Sequence, residues 1–399
     1  MSKIEELIEQ LCPEGVEFRV LGEIGKVCMC KRVMKHETTT AGDIPFFKIG
    51  TFGKEPDAYI SRELYDSHRK KYSFPKKGEI LISASGTIGR TVIYNGEPAY
   101  FQDSNIVWIN NNESKVTNKF LFYFYKIVEW KTDGGTIARL YNDNLSKTII
   151  PNPPLPIQQK IVNILDKFTQ LQAELEAELQ ARRAQYEYYR NQLLNFEGKE
   201  VEWKTLGEIG QFIRGKRFVK NDIVAEGVPC IHYGEMYTHY KIWAKESKSF
   251  LEPTLAAKLR VAHPGDVIIV AAGETVEDIG QGVAWLGESN VVIHDACFAF
   301  AHNLDPKYVS YFLQTDLFHS QIKRYISSGK ISSINAAGLS KASIPIPSMQ
   351  VQQEIVRILD KFNTLINDKS VGLPAEIQAR RKQYEYYRGK LLDFKRINN

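Results

Sequence analysis

The stretch QQKIVNILDKFTQLQAELEAELQARRAQYEYYRNQLLNF, at residues 158–196, decides how this chain folds. Its apolar residues recur three or four positions apart, at Ile161, Leu165, Phe168, Leu171, Leu175, Leu179, Tyr186, Tyr189, Leu193 and Phe196. This spacing predicts one apolar stripe along a helix that no Pro or Gly interrupts. At about 1.5 Å per residue such a helix is roughly 58 Å long. Because one globular domain does not need that length, we predict that the helix links two parts or measures a distance.

The same stretch occurs a second time near the C-terminus. Its start at 158–168 returns at 352–362, an offset of 352 − 158 = 194, and its end at 180–190 returns at 378–388, an offset of 378 − 180 = 198. The second copy therefore holds 198 − 194 = 4 extra residues, in a segment that contains Gly372, Leu373 and Pro374. We predict that the second helix breaks there and restarts near Ala375.

The repeat continues outside the helices. Residues 16–25 match 201–210, residues 77–82 are echoed at 264–269, and residues 145–151 are echoed at 339–345. The order predicts a first globular domain at 1–156 with a short helix at 2–11, a central helix at 157–197, a second domain at 198–348 and a C-terminal helical region at 349–399. Residues 10–15 also resemble 194–198, so we expect the N-terminal helix to pack near the C-terminal one and to close a pseudo-twofold ring.

Both domains are predicted to mix helices and strands, which gives an α/β (α+β) fold class. In the first domain, strands are predicted at 79–83, 90–94 and 106–109 and an aromatic-rich helix at 118–130. In the second, strands are predicted at 267–271, 282–286 and 297–301 and a helix at 306–325.

Composition restricts the class of protein only weakly. A hydrophobic fraction of 43% and a charged fraction of 25% are ordinary for a globular chain, and the net charge of +5 fits nucleic-acid binding as well as it fits an ordinary soluble protein. The five cysteines are too scattered for a disulfide framework, which fits a reducing cytoplasm. No segment predicts a signal peptide or a membrane span.

Four motifs resemble chemical sites, but their context favours a structural role. Asn152-Pro153-Pro154-Leu155 looks like the amine-binding motif of amino-methyltransferases, but it lacks the aromatic residue and a cofactor motif, so a Pro-rich lead into a helix fits better. His294 and Cys297 are predicted to face opposite sides of a strand. Cys28 and Cys30 have no second ligand pair, and Ser328-Gly329-Lys330 lacks the upstream glycine of a phosphate loop. The sequence therefore predicts no catalytic residue and no metal site.

Small and basic residues give candidates for DNA contact. In the loop 83–90, small residues allow a phosphate to approach closely, while hydroxyls and Arg90 can donate; a plain tight turn is the alternative. Basic clusters recur at the same place in both domains, and solvated loops are their alternative. The acidic Glu274 loop either reads cytosine amino groups or simply turns. The candidates are Lys31, Arg32, Lys35, Ser83, Ser85, Gly86, Thr87, Arg90, Arg139, Arg214, Lys216, Arg217, Glu274, Thr275, Lys323, Arg324 and Lys330.

The repeated helices supply candidates for packing and for partner binding. Their tyrosines are predicted to form packing seams, and their paired arginines are either solvated or bound to a partner. These candidates are Gln158, Gln159, Phe168, Leu175, Leu179, Arg182, Arg183, Tyr186, Tyr189, Gln352, Gln353, Phe362, Arg380, Arg381, Tyr384 and Tyr387.

The whole arrangement resembles the specificity subunits of type I restriction-modification systems. The resemblance is carried by the Pro-rich lead-in, by Gln158-Gln159, by Ile164-Leu165-Asp166-Lys167-Phe168, and by Gln-Tyr-Glu-Tyr-Tyr-Arg at 185–190 and again at 383–388. It covers essentially the whole chain.

The resemblance implies a non-catalytic adaptor with two target recognition domains, each reading half of a split, asymmetric site in double-stranded DNA. The two long helices would pair antiparallel as a coiled-coil-like spacer and dock two modification subunits, joined for cleavage by restriction subunits. S-adenosylmethionine, ATP and Mg²⁺ are expected on those partner subunits only, and no cofactor on this chain. The alternative is a tandem DNA-binding protein of another defence or regulatory system; a self-contained methyltransferase is disfavoured because cofactor motifs are missing.

A tandem four-residue repeat at 172–175 and 176–179 makes the central helix a candidate ruler. Four helical residues span about 6 Å, which is nearly two base pairs at about 3.4 Å per base pair. Deleting Glu176 to Leu179 is therefore predicted to shorten the gap between the half-sites without changing their sequences.

Overall fold

The computed structural model describes residues 3–133 and 138–397. The chain divides into two compact units, one formed by Met1–Leu175 with Ile377–Asn399 and the other by Glu176–Glu376. The predicted central helix is continuous over 39 residues, Leu155–Leu193, and it contributes its first half to the first unit and its second half to the other. The predicted apolar stripe is present, since Ile161, Leu165 and Tyr186 are buried.

The elements of the N-terminal half run up to the long helix. They are α1 Lys3–Leu11, β1 Glu17–Val20, α2 Leu21–Ile24, β2 Gly25–Met29, β3 Ile44–Phe47, β4 Tyr59–Ile60, α3 Arg62–Lys71, β5 Ile80–Ser83, β6 Thr91–Ile93, β7 Tyr100–Phe101, β8 Ile106–Asn111, α4 Asn118–Phe124, α5 Asn142–Ser146, β9 Ile149–Asn152 and α6 Leu155–Leu193.

The C-terminal half repeats this order with additional short strands. Its elements are β10 Glu202–Thr205, α7 Leu206–Ile209, β11 Gly210–Arg214, β12 Ile223–Val224, β13 Val228–Ile231, α8 Tyr233–Thr238, β14 Trp243–Ala244, β15 Ser249–Leu251, α9 Pro253–Ala256, β16 Val261–Ala262, β17 Val267–Val270, β18 Ala272–Gly273, β19 Gly282–Trp285, β20 Val291–Ile293, β21 Cys297–His302, α10 Pro306–Phe312, α11 Asp316–Ile322, β22 Ser332–Ser333, α12 Ala336–Leu339, β23 Ser343–Ile346, α13 Met349–Asn367 and α14 Leu373–Leu392.

The sheets show that the two domains are copies of one fold. In the first unit a sheet runs in the order β2-β8-β5-β6, and in the second the order β11-β21-β17-β19 repeats it with β14 added at the edge. A second sheet, β4-β3-β7 in the first unit, becomes β12-β15-β13-β20-β16 in the other, and β1 pairs with β9 as β10 pairs with β23. The strands predicted in both domains are confirmed, with ends that differ by up to two residues.

Two predicted helices are shorter than their aromatic content indicated. The helix predicted at 118–130 ends at Phe124, and Trp130 folds back so that its ring lies 5.4 Å from that of Tyr125. The helix predicted at 306–325 is two helices, because Thr315 caps the second by accepting from the Phe318 N–H over 3.2 Å. Apolar residues continue across both breaks, so their spacing alone does not reveal them.

The predicted break in the second repeated helix is confirmed. The chain leaves α13 at Asn367 and enters α14 at Leu373, two residues before the predicted restart. Pro374 is tolerated because it lies in the first turn, where its missing N–H has no helical partner to lose. A Cβ at Gly372 would lie 2.5 Å from the Thr364 carbonyl oxygen, so the turn between the helices favours glycine.

Each unit pairs one half of α6 with a C-terminal helix. In the first unit Ile161 and Leu165 share a buried cluster with Leu391 and Leu392 near the end of α14. Phe168, further along α6, contacts Tyr384 and therefore an earlier position of α14, which is the order of an antiparallel pair. In the second unit α6 and α13 meet at the rings of Tyr189 and Phe362.

The N-terminal segment packs near the end of the C-terminal helix, as predicted. Val16 donates its N–H to the Lys395 carbonyl over 2.9 Å and accepts from the Ile397 N–H over 3.1 Å. Phe120 and Phe394 cover this junction with ring centroids 6.5 Å apart. Among the described residues, no helix combines the length and the apolar character that crossing a membrane requires.

Candidate nucleic-acid interface

The loop between β7 and β8, residues 102–105, is the centre of the candidate site in the first unit. Arg139 donates from Nη2 to the Ser104 carbonyl over 2.8 Å, and Arg32 donates from Nε to Asp103 Oδ2 over 2.9 Å. Ser104 has a φ of 50°, an uncommon left-handed conformation for a residue other than glycine. The Arg32 side chain is 66% exposed although Asp103 holds it, so a pre-oriented guanidinium faces solvent.

Part of the predicted small-residue loop lies against the same centre. Ser85 donates to Asn105 Oδ1 over 2.9 Å, and the Ala84 N–H donates to the Asn105 carbonyl over 2.7 Å. Gly86 and Thr87 are exposed at the tip beside them. The structure thus places Arg32, Arg139 and the tip of this loop around residues 102–105.

Ser83 and Arg90 both have hydrogen bonds inside the domain, and the burial of Ser83 corrects its prediction as a DNA contact. Ser83 is 1% exposed, and its hydroxyl donates to the Thr87 carbonyl and accepts from the Arg90 N–H. Arg90 donates from Nη1 to the Phe52 carbonyl over 2.9 Å, which ties two loops together. The Ser83 hydroxyl is engaged within the domain, so for this residue the tight-turn alternative describes the structure. Arg90 stays a candidate for DNA contact, because only its Nη1 is shown to be engaged.

A glycine makes this turn possible. Gly89 has a φ of +80°, and a Cβ there would lie 2.3 Å from Nε1 of Trp130. The indole therefore packs directly on the backbone of the turn.

The basic residues after β2 are exposed. Lys31 places its ammonium 5.1 Å from the Tyr72 ring, and its carbonyl accepts from the Tyr100 hydroxyl over 2.9 Å. Lys35 begins a single 3-10 turn, Lys35–Glu37. Both remain candidates for contact with phosphate.

The second unit repeats the arginine-on-loop arrangement. Arg214 donates from Nε to the Asp295 carbonyl over 2.9 Å, in the loop before β21 that corresponds to 102–105. Arg260 donates to the Arg214 carbonyl over 2.9 Å, and Lys216 donates to the Lys258 carbonyl over 2.9 Å. In each domain an arginine is oriented by the loop that leads into the antiparallel neighbour of the first strand: Arg32 lies three residues after β2, and Arg214 is the last residue of β11.

The structure adds a cluster of rings that the sequence did not reveal. The His294 ring centroid lies 4.9 Å from that of His232, 5.0 Å from that of Tyr233 and 5.2 Å from that of Phe218. Burial lowers the pKa of both imidazoles, and for His294 the neighbouring Arg217 lowers it further. Both rings are therefore neutral near neutral pH, beside the predicted Arg217. Only the proximity of His232 and Tyr233 in sequence could have pointed to this cluster.

The Cys297 thiol is not a nucleophile partnered by His294. Cys297 is fully buried, and burial raises the pKa of its thiol to about 12. Within 3–133 and 138–397, no group of three or more His, Cys, Asp or Glu side chains is placed to hold a metal ion.

The remaining candidates of the second unit separate into two places. The β18–β22 ladder pairs Gly273 with Ser332, which brings the exposed Glu274 and Thr275 beside the loop that carries Lys330. Lys323 and Arg324 lie instead at the end of α11, where Arg324 packs on the Tyr325 ring at 4.9 Å.

Gln158 and Gln352 are buried anchors and lie on no accessible surface. Gln158 accepts from the Thr117 N–H over 2.8 Å and donates to the Lys115 and Pro153 carbonyls over 2.8 and 2.7 Å. Gln352 does the same for the Asp305 N–H and the Pro347 carbonyl over 3.0 and 2.8 Å. These hydrogen bonds hold the repeated helices to their domains. Of the two roles predicted for Gln158 and Gln352, their burial supports packing and corrects partner binding.

The other candidates on the repeated helices range from buried positions where helices pack together to positions exposed to solvent. Leu179 and Tyr186 are buried, and Leu175 is half-buried. Arg182 is half-buried and bonds Glu178 over 2.7 Å, and Arg380 is half-buried and bonds Gln383 over 3.0 Å. The exposed residues are Gln159, Arg183, Tyr189, Gln353, Arg381 and Tyr387, and of these the two tyrosines stack on Phe362 and Phe168.

The sequence matches the family described as type I restriction modification DNA specificity domain twice, at residues 13–182 and 198–379. It is 34% identical to the specificity subunit of a type I restriction enzyme of Escherichia coli, over 99% of this chain and 97% of that one. It is 60% identical to a Haemophilus influenzae protein named as a specificity subunit of the same enzyme class, over 44% of this chain and 47% of that protein.

Two solved structures share the fold. A chain from a structural study of type I restriction-modification complex assembly aligns with a TM-score of 0.63 at 15% identity, covering 95% of this chain and 97% of that one. The crystal structure of a type I restriction-modification S subunit from M. genitalium aligns with a TM-score of 0.51 at 15% identity, covering 95% and 96%.

Proposed function

Because the chain belongs to the family of type I restriction-modification DNA specificity domains, we propose that each of its two domains binds one half of a bipartite, asymmetric site in double-stranded DNA. The chain is a non-catalytic specificity subunit that directs the chemistry of other subunits. It acts in the cytoplasm, where the DNA and those subunits are present.

The observation that carries this proposal is that in both domains an arginine at or near the end of the first strand of the main sheet is oriented by the loop before the antiparallel neighbour of that strand. Arg32 on Asp103 and Arg214 on the Asp295 carbonyl are held by hydrogen bonds while their loops face solvent. A guanidinium already fixed in direction loses less conformational entropy when it binds a phosphate or the edge of a guanine. Two such groups in homologous domains fit a ligand with two similar halves.

The surroundings of these arginines support an asymmetric site. Around Arg32 stand hydroxyls and an amide, with Ser85 bonded to Asn105. Next to Asp295, whose carbonyl holds Arg214, His294 packs against the rings of His232 and Tyr233. Different donors and acceptors at equivalent positions would read different bases, so the two half-sites differ.

We further propose that the repeated helices dock two modification subunits, which would bind S-adenosylmethionine and methylate adenine, and that ATP- and Mg²⁺-dependent restriction subunits join them. Exposed residues at equivalent helix positions support two identical docking surfaces. Tyr188 is 60% exposed and Tyr386 is 57% exposed, and each lies in a Gln-Tyr-Glu-Tyr-Tyr-Arg block.

The test is methylation mapping in a host that carries the chain with its modification subunits. Methylation at one bipartite sequence with two unlike halves is the expected result. Arg32→Gln should reduce methylation at sites that depend on the first half, and Arg214→Gln at those that depend on the second. Methylation of a single undivided sequence, or none with active modification subunits, would contradict the proposal.

A further inference from the structure

The repeated helix blocks carry the same Tyr–Arg pair in both units. Arg190 lies with Cζ 5.3 Å from the Tyr186 ring centroid, and Arg388 lies 5.1 Å from that of Tyr384. The positions correspond, since both pairs have the offset 388 − 190 = 384 − 186 = 198.

The polar atoms of these pairs are buried without hydrogen-bond partners. In each unit the arginine Nε and the tyrosine hydroxyl are buried, and among the described residues neither atom makes a hydrogen bond of regular geometry. Unsatisfied buried donors are rare in folded proteins because they have lost their water. Their recurrence at two corresponding sites indicates that an acceptor is supplied from outside the chain.

Each arginine also lies close enough to a second basic group of its unit to lower the pKa of that group. In the second unit, burial lowers the pKa of His319 and the Arg190 charge lowers it further. In the first unit, desolvation of the ammonium and then the Arg388 charge lower the pKa of Lys126. Lys126 and Arg388 repel each other unless an anion lies between them, whereas His319 avoids this repulsion by remaining neutral beside Arg190.

The nearby carboxylates already have other partners. Asp316 accepts from the Asn191 amide over 3.0 Å, and Asp360 accepts from Lys307 and Tyr311, both over 2.7 Å. In the first unit Asp166 is held by Lys119 and by Tyr123. These acids therefore leave the two arginines without a carboxylate of their own.

In the second unit Arg190 lines a cavity of about 310 Å³. The described residues that line it include Arg190, Lys241 and His319, but no aspartate or glutamate. The hydroxyl of Tyr237, also in the lining, is buried without a partner. Arg190 reaches Gln314 only over a long 3.5 Å contact. The cavity is thus a basic recess in which Arg190 Nε and the Tyr237 hydroxyl are donors without an acceptor.

We propose that these two sites, centred on Arg190 and on Arg388, each receive an acidic side chain of a modification subunit. The inference rests on the proposed function, because it assumes two copies of one partner. A recess of this size admits a single flexible side chain. The phosphates of a DNA duplex lie on a wide cylinder and cannot enter it. A carboxylate would accept from the guanidinium and neutralise its positive charge, which makes a strong, charge-assisted bond.

The experiment measures assembly of the full chain with its modification subunit, by titration calorimetry and by the mass of the complex. Arg190→Gln and Arg388→Gln should each weaken one of the two binding events by about tenfold or more, and the double variant should weaken both. Lys245→Gln, an exposed charge of the second unit outside the recess, should bind as the wild type does.

A second variant guards against misfolding as the cause. Gln314→Glu places a carboxylate beside Arg190, so it should raise the melting temperature and still weaken one binding event. Wild-type affinity in both arginine variants would overturn the inference and leave the proposed function standing. Unchanged assembly combined with weaker DNA binding by the isolated chain would also overturn it, since the anion would then be a phosphate. A wild-type chain that binds no modification subunit would refute the proposed function itself, and the inference with it.

Discussion

Phe168 stacks on Tyr387 with ring centroids 5.6 Å apart and an angle of 23° between the ring planes. The second unit contains the same contact with the roles exchanged, since Tyr189 stacks on Phe362 at 5.6 Å and 27°. The offsets 362 − 168 = 194 and 387 − 189 = 198 are those of the two sequence blocks. Each helix pair is therefore closed by one phenylalanine from the start of a repeat and one tyrosine from the end of the other.

This contact should contribute to the stability of the first unit. We expect Phe168→Ala to lower the free energy of unfolding by about 1–3 kcal/mol, because a partly buried ring is lost. A double-mutant cycle with Tyr387→Ala should give a coupling of about 0.5–1.5 kcal/mol, measured by denaturant unfolding. Phe168→Leu, which keeps most of the apolar contact, is the control. Strict additivity of the two alanine variants would show that the rings do not interact.

Gln158 should matter more for stability than its neighbour Gln159. Replacing Gln158 by Ala leaves the Thr117 N–H and the Lys115 and Pro153 carbonyls without their partner, at a cost of about 1–3 kcal/mol for a buried group left unpaired. Gln159 is exposed and bonds only Asn163 within the helix, so Gln159→Ala should change stability by less than about 0.5 kcal/mol. Thermal unfolding of both variants compares them directly, and equal melting temperatures would refute the anchoring role.

The long helix was predictable because its signal is local. The spacing of Ile161, Leu165 and Tyr186 reports one face of a helix whatever surrounds it, and the break at Gly372 is equally local. The repeated fold was predictable because two similar stretches of sequence adopt similar structures.

The site was predictable only in part, because its geometry depends on residues distant in sequence. Arg32 and Arg214 were identified from recurring charge, but the loop that orients each of them lies beyond the reach of a local pattern. A serine at position 83 has the same local signature whether its hydroxyl faces DNA or its own turn. The rings of Phe218, His232 and His294 come from three separate segments, so their contact appears only in the fold.

The second unit should lose stability in mild acid through His302. Its Nδ1 accepts from the Leu304 N–H over 3.1 Å, its Nε2 is buried without a partner, and burial lowers the pKa of the imidazole to about 4. The unfolded chain takes up this proton below about pH 6.5, whereas the folded chain resists it, so the free energy of unfolding falls as the pH decreases from there towards 4.

His302→Asn isolates this contribution. The amide oxygen can still accept from Leu304 but does not titrate, so the variant should lose less stability than the wild type between about pH 7 and pH 5. Denaturant unfolding at several pH values measures the difference. Parallel curves for the two proteins would show that His302 is protonated as easily in the fold as in the unfolded chain.

The two oriented arginines should act on separate halves of the DNA site. Arg32→Gln removes one positive charge from the first domain, so binding should weaken by about 1–3 kcal/mol if a base is read, and the slope of log affinity against log salt should fall by about 1 if a phosphate is contacted. Arg90→Ala should also weaken binding mainly through the first half-site, but with a loss of stability, because its guanidinium holds the Phe52 carbonyl. A salt series with DNA altered in one half at a time separates these effects. Equal losses on both altered DNAs would mean that the two domains do not read separate halves.

The helix α6 should set the distance between the half-sites. Deleting Glu176 to Leu179 removes about 6 Å of helix and a little more than one turn, while Leu175 and the blocks on either side keep their sequence. We therefore expect methylation mapping to show both half-site sequences unchanged and the gap between them shortened by one or two base pairs, at about 3.4 Å each. Replacing the same four residues by Ala-Ala-Ala-Leu keeps the helix length and is the matched control, so its gap should equal that of the wild type. An unaltered gap in the deletion variant would show that the separation is fixed elsewhere, and altered half-sites would show that the deletion had disturbed the reading domains.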